Sequence, residues 1–217
     1  MKITYLGHSC FLIENKNVGI IIDPFYDKEK FNPRPNFCVA THGHFDHFKH
    51  ALDLCAVGAK FIGMPELCKY LESHGAKNVH TMNIGGFFDF GDFKLKLVPA
   101  THSSSIDFTD EKGCATGCII EIDGKLIYHA GDTGLFGDME LIGKRHNIDI
   151  AMLPIGGNYT MDVDDAVYAC NLLKPKIAIP MHYNTFPIIK ADPNKFAENL
   201  PSGTSGLILE PGESKEF

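Results

Sequence analysis

Three histidines and one aspartate, all side chains of the kind that bind metal ions, occur within six residues in the sequence HGHFDH. The cluster follows the short apolar run Phe37–Ala40, which predicts that it lies at the end of a strand. Alternate residues of an extended chain point the same way, so His42 and His44 can reach one ion. If the chain turns after them, Asp46 and His47 can serve a second ion. Imidazole and carboxylate ligands suit Zn, Mn, Fe or Ni, and a merely solvated polar loop rarely collects four of them.

Short β-branched and aromatic runs alternate with helical patterns along the chain. Strand runs followed by helices, twice over, predict an α/β fold in which two mixed β-sheets pack together with helices outside, an αββα sandwich. The predicted strands are Lys2–Tyr5, Cys10–Glu14, Val18–Ile22, Phe37–Ala40, Lys60–Gly63, Val79–Met82, Phe87–Phe90, Phe93–Val98, Gly117–Ile122, Lys125–His129, Ile148–Leu153, Ile177–Met181 and Gly206–Glu210. The predicted helices are Phe48–Val57, Pro65–Ser73, Leu135–Lys144 and Val163–Leu173.

Composition and charge limit the classes of protein to which the chain can belong. No composition break divides the 217 residues, so residues 1–217 are predicted to form a single domain. Hydrophobic residues make up 44% and charged residues 22%, which is ordinary for a globular protein. The formal net charge of −7 argues against nucleic acid as a partner, because phosphate-binding surfaces need clustered Lys and Arg.

Cysteine usage and the apolar pattern indicate a compartment. The seven cysteines are scattered without a C-x-x-C pair, which fits a reduced protein better than a disulfide framework. The amino-terminal residues are too polar for a signal peptide, and no window approaches about eighteen consecutive apolar residues. We therefore expect a cytoplasmic protein without membrane contact, and homo-oligomerisation is left open.

The spacing His-x-His-x-Asp-His after a β-rich beginning resembles the signature of the metallo-β-lactamase superfamily. The later metal motifs of that superfamily have matches in the same order along the chain. They are His102 in VPATHS, Asp132 in HAGDTG and His182 in IPMHY. The resemblance spans nearly the whole chain and implies the αββα sandwich of the metallo-β-lactamase type.

The resemblance also implies a division of roles among the ligands. Asp132 would bridge two divalent ions, because a carboxylate has two oxygens that can span neighbouring cations. The ions would share a hydroxide that attacks a small ester, lactone, amide or phosphodiester. The expected ions are Zn²⁺, with Mn²⁺, Ni²⁺ or Fe²⁺ as alternatives. His42, His44 and His102 would hold the first ion, and Asp46, His47 and His182 the second.

A narrower resemblance concerns the branch of this superfamily that contains ascorbate-6-phosphate lactonase-like proteins. It rests on the sequences GHSCF, DP, PIGG and TMD, which begin at residues 7, 23, 154 and 160. The short members of that branch are known as metal-dependent hydrolases, so the resemblance implies a reaction type and no particular substrate. Oxygen-reducing di-iron relatives carry an acidic residue where His44 stands, and the imidazole here favours hydrolysis over electron transfer.

Several polar residues near these motifs have two interpretations. His8 either lines the metal site as a catalytic group or is a surface or core histidine bonded to backbone. The Ser103–Ser105 loop either contacts substrate or is an ordinary polar loop. His129 is expected to be a supporting or core group, whereas His50 is expected to be solvated, with His74, His80 and His146.

Two other functions compete with a small-molecule hydrolase. A nuclease-type phosphodiesterase is disfavoured by the acidic charge and by the absence of the long inserted domain that RNA-processing members carry. A non-catalytic metal-binding or sensing protein is disfavoured because the ligand set is complete and leaves room for an activated water. Activity on generic chromogenic esters and phosphodiesters would discriminate between these alternatives.

Overall fold

A computed structural model describes residues 1–106, 109–110 and 112–217, which contain two seven-stranded mixed β-sheets with helices. The chain divides into two compact units, each of which holds one sheet. The first unit comprises Met1–Gly85, Ser103–Ala115 and Glu210–Phe217, and the second comprises Gly86–His102 and Thr116–Leu209. The predicted α/β class with two mixed sheets is confirmed. That residues 1–217 form a single domain stays a prediction.

The sheet of the first unit changes from antiparallel to parallel pairing along its width. Its strand order is β14-β1-β2-β3-β4-β5-β6, and the pairs from β3 to β6 are parallel. The strands are β1 (Lys2–Gly7), β2 (Cys10–Glu14), β3 (Gly19–Ile22), β4 (Phe37–Val39), β5 (Lys60–Gly63), β6 (Val79–Thr81) and β14 (Ser214–Glu216). The helices are α1 (Phe45–Phe48), α2 (Ala51–Ala56) and α3 (Pro65–Ser73).

Parallel pairing in the first unit brings two strand ends together. Ile22 of β3 lies opposite Val39 of β4, so the residues that follow both strands share one edge of the sheet. Both ends are firmly anchored, because Ile20, Ile21 and Ile22 are completely buried and fill a strand that is apolar on both faces. Asp23 therefore emerges beside the segment that begins at residue 40.

The sheet of the second unit has the strand order β13-β12-β11-β10-β9-β8-β7. Its strands are β7 (Phe88–Asp89), β8 (Lys94–Pro99), β9 (Thr116–Ile122), β10 (Lys125–His129), β11 (Ile150–Pro154), β12 (Ile177–Met181) and β13 (Ser205–Gly206). Its helices are α4 (Met139–Arg145), α5 (Val163–Leu173) and α6 (Pro193–Glu198), with a short 3₁₀ turn at Pro187–Ile189. Strands β8, β10 and β12 run in the same direction, so their carboxyl ends meet at one edge.

Most predicted elements are present, but the helix predicted over Phe48–Val57 is shorter, because it begins only at Ala51 and forms α2. Lys49 and His50 separate it from α1. The backbone N–H of His50 donates to the carbonyl of Pro24 at 3.0 Å, so it does not continue the bonding of α1. The helix predicted from Leu135 begins only at Met139, because the chain turns between Phe136 and Met139 before the helix starts.

The carboxyl-terminal part of the chain departs most from the prediction. The strand predicted over Gly206–Glu210 is reduced to β13, whose pairing with β12 ends at Gly206. Helix α6 and strand β14 were not predicted. Strand β14 pairs with β1, but its three residues are polar and exposed, so no apolar alternation announces it. Within the described residues, no helix is long and apolar enough to cross a bilayer.

Candidate metal centre

The carboxylate of Asp23 is completely buried at the end of β3 and organises the neighbouring histidine segment. Its Oδ1 accepts a hydrogen bond from the backbone N–H of Thr41 at 2.7 Å. Its Oδ2 accepts from the hydroxyl of Thr41 at 2.8 Å and lies 2.7 Å from Nδ1 of His47. Sequence reasoning noted Asp23 only as part of an Asp-Pro resemblance. The position of an acidic residue directly after a wholly apolar strand was the available signal.

These contacts determine which ring nitrogens of two histidines can bind a metal. Because Nδ1 of His47 donates to Asp23, the Nε2 atom of the neutral ring carries the lone pair. The hydroxyl of Thr41 gives its one proton to Asp23, so its 3.0 Å contact with Nδ1 of His42 requires that His42 be the donor. The Nε2 atom of His42 therefore also carries a lone pair.

The spacing of the donor atoms in the first unit fits metal coordination. Two ligand atoms that bind one ion at about 2.0–2.2 Å each must lie within about 4.4 Å of one another. Nε2 of His42 lies 2.9 Å from Nδ1 of His44, and Nε2 of His47 lies 4.0 Å from Oδ1 of Asp46. The donor set and its spacing are therefore compatible with a metal ion at each pair.

His8 lies against the same cluster. It is buried, and its Nε2 is 3.1 Å from Oδ2 of Asp46. Its backbone has a left-handed φ of 55°, and its carbonyl accepts a hydrogen bond from the hydroxyl of Tyr5 at 2.9 Å. One ligand atom from each of His8, Asp46 and His47 lies within 4.8 Å of the others. The residue that the sequence left open thus contacts a predicted ligand.

The second unit gathers its three predicted ligands from the loops that follow β8, β10 and β12. Oδ2 of Asp132 lies 3.0 Å from Nε2 of His182 and 3.7 Å from Nε2 of His102. Asp132 and His182 are buried, whereas His102 is half-buried. Both distances are within the range that a shared ion requires.

Contacts that involve backbone groups tie together the loops that carry these residues. Thr133 Oγ1 accepts a hydrogen bond from the N–H of Thr101 at 2.9 Å, which ties the loop before His102 to the loop of Asp132. His182 adopts a left-handed φ of 54°. The carbonyl of His182 packs so closely against Gly156 that a Cβ atom at residue 156 would collide with that oxygen. Glycine is required at residue 156 by this close approach.

Other histidines and the serine loop are now placed. The expectation that His50 is solvated is wrong, because it is buried, with Nδ1 3.3 Å from Asp53 and Nε2 3.1 Å from the carbonyl of Tyr26. Burial lowers the pKa of His50 through desolvation.

His129 is completely buried, and its Nδ1 accepts from the N–H of Gly131 at 3.1 Å. Within the loop Ser103–Ser105, Ser104 Oγ accepts from the N–H of Gly43 at 3.4 Å, and whether this loop contacts substrate stays a prediction.

The buried cysteines are held as neutral thiols. Cys10 and Cys38 are completely buried, and desolvation raises the pKa of both thiols. Burial also raises the pKa of Cys55 to about 11 and the pKa of Cys170 to about 12. Because only a thiolate binds metal well, these groups do not compete with the imidazole and carboxylate ligands.

Comparison with known proteins gives one consistent result. A family model described as the β-lactamase superfamily domain matches residues 2–182. A UPF0173 metal-dependent hydrolase of Staphylococcus aureus (strain JH9) is 46% identical over 237 residues, covering 100% of both chains. The structure of a metallo hydrolase from the archaeon Ignicoccus hospitalis has a TM-score of 0.90 at 42% identity, covering 100% of this chain and 98% of that one. An isothiocyanate hydrolase from Delia radicum gut bacteria shares the fold, with a TM-score of 0.77 at 16% identity over 100% of this chain and 99% of its own.

Proposed function

Because the chain belongs to the metallo-β-lactamase superfamily and is a metal-dependent hydrolase, we propose that it cleaves a small ester, lactone, amide or phosphodiester with two divalent metal ions. Zn²⁺ is the first expected occupant, and Mn²⁺, Ni²⁺ or Fe²⁺ are the alternatives, because the ligands are imidazoles and carboxylates.

The proposed ligands are those of the sequence motifs. The spacing of donor atoms within each unit supports this assignment, as does the order of the motifs along the chain. Asp132 is assigned to both ions, because its Oδ2 already lies near the imidazoles of His102 and His182. The proposed set for the first ion is His42, His44 and His102, and for the second ion Asp46, His47 and His182.

One observation carries the proposal: the buried carboxylate of Asp23 orients His47 directly and His42 through Thr41. A carboxylate behind a histidine ring fixes the tautomer and raises the basicity of the opposite nitrogen, which is how proteins prepare imidazole for a metal ion. A buried acidic residue that served only the fold would not need to present two Nε2 atoms on neighbouring rings.

When bound, the ions lower the pKa of a water molecule and polarise the bond to be cleaved. The chain contributes the arrangement around them. His8 Nε2 and Asp46 Oδ2 are 3.1 Å apart, so a proton held at Nε2 is shared with the carboxylate. We assign to His8 the transfer of that proton to or from the reacting group, as a general acid or base. Asp46 orients the imidazole for this step.

A cytoplasmic location is part of the same proposal. All seven cysteines are free thiols, and five of them are buried. Free buried thiols are typical of proteins from reducing compartments. Fractionation of cells that express the protein at its native level would test the location.

The test of function combines metal analysis with a substrate panel. Protein purified without chelators should contain about two equivalents of metal and hydrolyse at least one class of chromogenic ester, lactone, amide or phosphodiester. Removal of the metal should abolish turnover, and metal added back should restore it. His74→Ala, a change at an exposed histidine outside both clusters, is the matched control and should retain metal and activity. Less than half an equivalent of metal, without metal-restored activity, would contradict the proposal.

A further inference from the structure

We propose that Phe25, Phe45 and Lys49 form a recognition platform beside the metal centre, and that the substrate carries an anionic group next to a flat apolar part. The inference rests on the proposed hydrolase function and names the substrate class for the same site. The three side chains all belong to the first unit, and none of them is one of the proposed ligands.

The platform is a continuous row of rings that begins at His8. The ring centroids of His8 and Phe25 are 5.4 Å apart, with planes inclined by 69°. The centroids of Phe25 and Phe45 are 5.8 Å apart, inclined by 67°. Both are edge-to-face contacts, the arrangement that aromatic pairs prefer. The row therefore connects the proposed proton-transfer group to the exposed ring of Phe45.

Lys49 is held over this row by the local helical turn. Its backbone N–H donates to the carbonyl of Phe45 at 3.1 Å, which places the two side chains on one face. The ammonium group lies 5.0 Å from the centroid of Phe45 and 5.3 Å from that of Phe25. Contact with two ring faces restricts the position of a lysine that is otherwise flexible.

Among the described lysines of the first unit, Lys49 is distinguished by its position over aromatic rings. Lys2, Lys28 and Lys30 each form an ion pair with a carboxylate. Within the described part of the chain, the ammonium of Lys49 pairs with none, although the protein carries a net charge of −7. An ammonium that is fixed over aromatic faces and not neutralised by the protein is suited to bind an anion from solution.

The exposure of Phe45 has no explanation in core packing. The ring lies between His44 and Asp46 in the sequence and is 49% exposed, whereas Phe48 of the same helix is buried. Contiguous exposed apolar surface rimmed by polar groups is typical of binding sites, and the rings of Phe45 and its neighbour Phe25 form such a surface. A flat apolar group that covers Phe45 while its anion meets Lys49 would lie one ring, that of Phe25, away from His8 and its partner Asp46.

The proposal is tested by calorimetric titration of metal-loaded protein with naphthoate, naphthyl phosphate and neutral naphthylmethanol. Lys49→Met should weaken binding of the two anions relative to naphthylmethanol by about fivefold, the upper range for an exposed ion pair. Lys49→Arg should restore the preference, because the charge is kept. Lys69→Met, at an exposed lysine of α3, removes the same net charge elsewhere and should leave the preference unchanged. Phe45→Leu should weaken all three ligands, and the metal content of every variant is measured first.

If Lys49→Met left the preference for anions unchanged, or if Lys69→Met lost that preference equally, the proposal that the substrate carries an anionic group would be overturned. If Phe45→Leu bound all three ligands with unchanged affinity, the proposal that the substrate has a flat apolar part would be overturned. A larger loss for naphthyl phosphate than for naphthoate in Lys49→Met would identify the anion as a phosphate, and the reverse a carboxylate. The titrations do not depend on turnover, so failure of the wild-type protein to hydrolyse any substrate would count against the proposed function alone.

Discussion

The two units present their ligand-type residues in opposite ways. The first unit concentrates four of them in the six residues His42–His47, between the end of β4 and the end of α1. The second unit takes one residue from each of three loops, and these residues are 30 and 50 positions apart in the sequence, at His102, Asp132 and His182. A dense cluster can be read from the chain alone, whereas a dispersed one requires the sheet to assemble before its members meet.

The means of orientation differ as well. In the first unit, side chains orient side chains, because Asp23 and Thr41 hold the two imidazoles by hydrogen bonds. In the second unit, the backbone takes part in each such contact: the N–H of Thr101 donates to the hydroxyl of Thr133, and the carbonyl of His182 packs against Gly156. The difference predicts that the first unit is sensitive to isosteric polar changes and the second to changes in backbone geometry.

The largest expected effect is the loss of a carboxylate from either unit. Asp46→Ala and Asp132→Ala should each lower kcat/KM by more than about a thousandfold, because both carboxylates are assigned to hold and charge-balance the ions. Circular dichroism should show an intact fold. Asp164→Ala, at an exposed residue of α5, is the control and should retain activity. Near-wild-type turnover in Asp46→Ala but not in Asp132→Ala would place the chemistry in the second unit alone.

The next effect concerns His8, which lies outside the dense cluster of the first unit. His8→Ala should keep both ions and lower turnover by about a hundredfold, as expected for a lost general acid or base. A purely structural residue would instead cost about 1 kcal/mol of stability and leave turnover intact. A ligand would lose metal. Metal content, melting temperature and turnover of the one variant separate the three cases, and a normal turnover number would remove His8 from the site.

A smaller effect should follow from disturbing the hydrogen bonds behind the ligands. Asp23→Asn should weaken metal binding about 10–100-fold, because the amide cannot accept from all three donors with a full negative charge. Thr41→Val removes only the hydroxyl that links Asp23 to His42 and should weaken metal binding less. Competition with a chelator of known affinity measures both. Equal affinity in all three proteins would mean that Asp23 serves the fold and not the metal.

The smallest effect on chemistry is expected from Gly156→Ala in the second unit. The new Cβ would collide with the carbonyl of His182 and meet Cβ of Ile189 at 2.8 Å, so the backbone must shift. Overpacking of this kind costs about 1–3 kcal/mol of unfolding free energy. Urea unfolding should show this loss, and Gly137→Ala, where no atom lies within 4 Å, should not. Unchanged stability at residue 156 would show that the turn yields without cost.

The family, the fold class and the order of the motifs could be predicted from the sequence, because dense clusters of polar residues and the regular spacing of apolar residues are local signals. The contact between His8 and Asp46 could not be predicted, because it depends on the bulge at the end of β1. The role of Asp23 could not be predicted either, because its three hydrogen bonds exist only when β3 and β4 are parallel neighbours. His50 was misjudged for a similar reason, since its partners include the carbonyl of Tyr26, 24 residues away.

The backbone at the site has a cost that bears on how such a protein can be stabilised. His8, Asp23 and His182 all have left-handed φ angles, of 55°, 48° and 54°. Each such residue costs of order 1 kcal/mol relative to glycine, although Asp and His tolerate this region better than most. Replacement by glycine would relieve the strain at all three positions and remove the groups that they present. A selection for heat resistance alone should therefore favour the loss of these three side chains, whereas a selection that also demands turnover must find its stability at other residues.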